Sequence, residues 1–90
     1  MMKFVFISAK LKANTVEEFE ENIRYAEQLA AEVNDAGNGA ISAICPHSLF
    51  VPIKDKMKLF QEVDDPYWYD SCIELMKRCD AVLFGYGWSM

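Results

Sequence analysis

Short, unbroken apolar runs alternate along this chain with longer stretches in which apolar residues recur every three or four positions. The runs are residues 3–9 (KFVFISA), 40–45 (AISAIC) and 81–85 (AVLFG). Brief segments rich in Phe, Val and Ile, with no polar alternation, have the pattern of strands buried on both faces. Between the first two runs, Val16, Phe19, Ile23, Ala26, Ala30 and Val33 follow a 3-4-3-4-3 spacing, which draws one stripe along a helix. Thr15 with Glu18 three positions on is a capping-box signature for its start. Glu17, Glu18, Glu20, Glu21 and Glu27 fall mostly off the stripe, and acidic residues in the first turns complement the helix dipole. The helix is expected over 16–36, with Gly37 as a left-handed cap.

Residues 46–64 read as a long connection with Pro46 and Pro52 near its start, carrying a short helix over 53–61. Asp65 and Pro66 then open a last helix, as cap and first-turn residue. Its stripe is Tyr69, Cys72, Ile73, Met76 and Cys79, and Lys77 and Arg78 suit its C-terminal end. A strand, a helix and a second buried strand imply a right-handed crossover between parallel strands. The expected fold is α/β: a three-stranded parallel sheet with flanking helices, half of a doubly wound flavodoxin- or Rossmann-like fold. It occupies one domain, residues 1–90.

Composition narrows the partners more than the fold. A 90-residue chain, 52% hydrophobic and 26% charged, is an ordinary globular domain. Such a chain buries roughly 60–65% of its extended surface, enough for one modest core. No apolar run approaches the ~18 residues of a membrane helix. The opening MMKFVFISAKLK has no small-residue cleavage site, so a cytoplasmic location without membrane contact is expected. A net charge of −5 argues against direct nucleic-acid binding, but leaves room for a small ligand or a basic protein partner. Cys45, Cys72 and Cys79 are expected to be reduced and buried.

In doubly wound sheets ligands sit at the C-terminal ends of the strands. Segments 8–12, 45–52 and 85–90 should converge there, bringing Ser8, Lys10, Lys12, His47, Ser48, Gly85, Gly87, Trp88 and Ser89 together as candidate ligand-binding residues. Phe50 and Tyr86 add aromatic faces. Gly85 and Gly87 permit a close ligand approach or a plain turn. Trp88 could stack on a base or cover the open end of the core. His47, the only histidine, has a structural reading and a ligand-binding one. Cys45, His47, Cys72 and Cys79 match no usual zinc spacing, so neither metal nor cofactor is expected. Asp64 and Asp65 read as a cap rather than a catalytic pair, and Asp70 falls at the wrong end of its helix for the strand-end site.

Three stretches together carry a family resemblance: KFVFISAKLKANTVEEFEENIRYAEQLAAEV, AICPHSLFVP and LMKRCDAVLFGYGWSM. They resemble the small phage and bacterial branch of the nucleoside 2-deoxyribosyltransferase-like family, over nearly the whole chain. Asn22 corresponds to that family's helix asparagine, 46–50 to its middle motif, and Cys79-Asp80 with Gly87-Trp88-Ser89 to its last. The first turn, 8–12, lacks the family's Gly-Pro. The nucleophilic Glu expected after the Gly-Trp-Ser turn is absent from these 90 residues. Covalent transfer needs an attacking carboxylate, and Glu74 and Asp80 precede the last strand, where they cannot replace it. The resemblance therefore implies a nucleoside- or nucleotide-binding module without catalysis. One alternative is a small acidic phage-type protein that binds and inhibits a host protein such as a defence nuclease. Another is a fragment of a transferase, or one completed by a second subunit. The apolar third strand, 81–85, is expected to be an edge covered by another copy or by a partner protein.

Overall fold

The computed structural model describes residues 1–56 and 65–86, without the side chains of residues 54, 55, 65 and 66. The element order is β1 (Lys3–Ser8), α1 (Val16–Ala36), β2 (Ile41–Ile44), α2 (Pro46–Lys56), α3 (Asp65–Lys77) and β3 (Ala81–Phe84). The three strands form one parallel sheet in the order β2-β1-β3. This is the open α/β sheet the apolar runs implied, with the first strand at its centre.

The faces of the sheet follow from strand alternation. A Cβ on Gly85 would meet Leu29 and Tyr25 of α1. Gly85 therefore looks toward α1, and so do Leu83 and its register partner Ile7. Phe6 looks the other way. Both Phe6 and Ile7 are buried, and together with Ala26 and Cys45 they form the enclosed apolar core. The expectation of strands buried on both faces holds only for the middle of β1. In β3, Ala81, Leu83 and Phe84 are exposed, because a terminal strand has only one strand neighbour to shelter it.

The sheet's register is fixed at its ends by side chains as well as by the ladder. Asp80 Oδ2 accepts the Phe4 N–H at 2.8 Å, while the Asp80 N–H donates to the Phe4 carbonyl at 2.8 Å. On the opposite edge, the Ala43 N–H donates to Asn34 Oδ1 at 2.7 Å. That bond satisfies an outward-facing β2 amide that would otherwise await another strand.

Helix α1 starts as its capping box predicts. The Glu18 N–H donates to Thr15 Oγ1 at 3.1 Å, and the Glu18 carboxylate reaches back to the Asn14 N–H at 3.5 Å. Val16, the first member of the expected stripe, is 70% exposed, since it precedes the turn that meets the sheet. Gly37 is not the left-handed cap. It has φ −73°, and Asn38 (φ 49°) and Gly39 (φ 87°) make the reversal. Gly37 is needed for space, since a Cβ there would lie 2.5 Å from Ile41 Cβ.

The connection after β2 departs most from expectation. A helix begins at Pro46, directly after the strand, and runs to Lys56 rather than over 53–61. Residues 57–61 of that expected helix lie outside the described residues. Pro46 fits as the first helical residue, where no N–H is required. Pro52 lies inside the helix, where it denies the Ser48 carbonyl its helical donor. The cap formed by Asp64 and the Asp65 side chain also lies outside the described residues. Among the cysteines only Cys45 is buried, and Cys72 and Cys79 are half-buried. No described helix is long and apolar enough to cross a membrane.

Candidate functional site at the strand ends

The C-terminal ends of the strands form one connected rim. The Gly85 N–H donates to the Ser8 carbonyl at 2.7 Å, joining the loops after β3 and β1. His47 Nε2 lies 3.2 Å from the Lys10 carbonyl, joining α2 to the β1–α1 loop. A carbonyl can only accept, so Nε2 carries the proton and Nδ1 is left as an acceptor. Nδ1 is buried and has no protein partner.

Helix α1 supplies most of the remaining ties. Asn22 Nδ2 donates to the carbonyls of Leu11 (3.1 Å) and Lys12 (3.3 Å). The Asn22 side chain thus holds the first loop, a structural task for the residue that the family resemblance singled out. Lys10 Nζ pairs with Glu18 Oε1 at 3.3 Å, and Ser48 Oγ donates to Glu27 Oε2 at 2.5 Å. The Tyr25 hydroxyl accepts the Tyr86 N–H at 2.9 Å, anchoring the turn after β3. Beside the rim lies an open hollow lined by Lys10, Lys12, Ala13, Asn14, Glu18 and Phe19.

Of the expected site residues, Ser8, Lys10, Lys12, His47, Ser48 and Gly85 are described, and the first three follow one another along the loop after β1. Gly87, Trp88 and Ser89 lie outside the described residues. The reason for Gly85 is corrected. Its φ is not in the left-handed region, and a Cβ would meet Leu29 Cδ1 at 2.8 Å and Ala9 Cβ at 3.2 Å. Its missing side chain admits α1, not a ligand. Phe50 also leaves the rim for a groove between α2 and α3, where its ring centroid is 5.7 Å from that of Trp68. Asp70 lines that groove, away from the strand ends. Glu18, Asn22, Tyr25 and Glu27 were not among the candidates. Helical periodicity placed Glu18 and Glu27 on a solvated face, and nothing local to α1 shows which loop a polar residue will reach.

His47 is held neutral. Burial lowers its pKa below the ordinary 6.5, outweighing the opposing pull of the Lys10 and Ala9 carbonyls and the Glu27 charge. Unfolded chains take up this proton near pH 6.5 while the folded state resists it. The stabilising contribution is therefore full above pH 6.5 and is lost as pH falls through the lower folded value. Melting temperatures measured from pH 8 to pH 5 should fall on the acid side, and His47→Gln should remove part of that fall. An identical acid profile in the variant would show that His47 is not responsible.

In comparisons with protein-family models, with curated proteins and with solved structures, the chain has no match. Among the described residues no group of three or more His, Cys, Asp or Glu could hold a metal ion.

Proposed function

We propose that the chain is a binding module that takes a nucleoside at the strand-end rim and does not turn it over. The observation that carries this reading is the joining of the three strand-end loops by the Gly85–Ser8 and His47–Lys10 hydrogen bonds. This fixed frame stands at the crevice where open α/β sheets hold ligands. The frame offers what a sugar and base require. Main-chain groups and Ser8 can meet hydroxyls, the Phe19 side of the hollow is apolar, and Tyr86 presents an exposed ring for stacking.

The electrostatics favour an uncharged ligand over a phosphorylated one. Lys10 already faces Glu18 at 3.3 Å, and Glu27 stands on the far side of the rim, bonded to Ser48. A phosphate would compete with one carboxylate and approach another. The same pairings support binding without catalysis, because each of these carboxylates already holds a loop in place.

Thermal shift and calorimetry against unphosphorylated nucleosides and their 5′-monophosphates test the proposal. A nucleoside at ten times its dissociation constant adds about 1.4 kcal/mol, which raises the melting temperature by about 6–11 °C in a domain of this size. The monophosphate should bind no more tightly than its nucleoside, and no free base should appear. Absence of heat and of any shift across the panel would remove the reading. Released base would replace binding with transfer chemistry.

A further inference from the structure

The two edges of the sheet are not equivalent. At β2 the outward Ala43 amide is bonded to Asn34. At β3 the sequence AVLF contains no charge and no proline, the usual means of blunting an edge. Leu83 on the α1 face and Phe84 on the opposite face are 37% and 53% exposed, and Phe4 stands exposed on the same face as Phe84. Apolar surface thus borders the terminal strand above and below the sheet.

The total surface points the same way. The chain exposes 6587 Å², about 1,200 Å² more than the roughly 5,400 Å² that scaling assigns to a folded monomer of its mass. A standard interface hides about 800 Å² on each partner. The excess is enough to furnish one such interface per chain.

We infer that β3 is a self-association edge, at which a second copy of the chain pairs its own β3 antiparallel about a two-fold axis. The assembly is a six-stranded sheet of order β2-β1-β3-β3-β1-β2. Pairing stops at two chains because each outer edge is then a β2 sealed by Asn34. Antiparallel pairing also sends the two strand-end rims to opposite sides of the dimer, so each chain keeps its own site. Each copy carries a net charge of −5, so added salt should strengthen the dimer by screening repulsion.

Sedimentation across a concentration series is the test. The wild-type mass should rise to twice 10.3 kDa, and more readily in raised salt. Leu83→Lys should remain at the mass of one chain. Asn34→Ala, which frees the β2 edge, should go beyond two. A strict monomer at the highest attainable concentration would overturn the proposal, as would dimers that survive in a folded Leu83→Lys variant. Should that variant fail to fold, amide exchange of Val82 and Leu83 in the wild type decides. Protection must grow with protein concentration, and protection independent of it would overturn the pairing.

Discussion

Replacing Ile7 with alanine will cost about 3 kcal/mol of stability and lower the melting temperature by about 12–24 °C. Ile7 is fully buried at the centre of the sheet, beneath α1, and it is the largest side chain so enclosed. The lost methylenes forfeit transfer free energy and leave a cavity that the neighbouring strands cannot fill without shifting. Domains of this size have only about 5–13 kcal/mol in total, and few other enclosed side chains share the load. Urea unfolding followed by circular dichroism would give the value. A cost below about 1 kcal/mol would mean that the site collapses freely.

Gly85→Ala should be the more informative substitution, because it links packing to the rim. The new Cβ would press on Leu29 Cδ1 at 2.8 Å and on Ala9 Cβ and Tyr25 Cε2 at 3.2 Å. Leu29 can rotate, but Ala9 has no rotamer to change and its backbone must yield. Overpacking of this kind costs about 1–3 kcal/mol. The displacement also acts on the Gly85–Ser8 hydrogen bond. Nucleoside affinity should therefore fall together with stability, by about tenfold for each 1.4 kcal/mol lost from the bound state. Calorimetry below the variant's melting temperature separates the two effects. Unchanged affinity in a destabilised variant would place the ligand away from this junction.

The sheet and α1 were legible in the sequence because their signals are local. Three short apolar runs stand apart from the helical stripe, and Thr15 with Glu18 marks the start of α1 within a residue. The parallel arrangement follows from strands joined through helices. What was misread depended on contacts distant along the chain. Pro46 and Pro52 read as breakers, yet one is tolerated at a helix start and the other inside α2. Gly37 and Gly85 looked like conformational residues, but each is excluded from carrying a side chain by a neighbour from another element. The rim was legible as a place, since strand ends define it. Its wiring was not, because Asn22, Glu18, Glu27 and Tyr25 of α1 reach loops that only the tertiary fold brings near.

The double hydrogen bond between Asp80 and Phe4 spans 76 positions of sequence. Its consequence is kinetic. The central strand is the first to leave the ribosome, yet both flanking strands come later and the last closes nearly the full length of the chain. Non-local pairing of this kind slows folding. Nascent β1 must therefore keep Phe6 and Ile7 from competing associations until synthesis is almost complete.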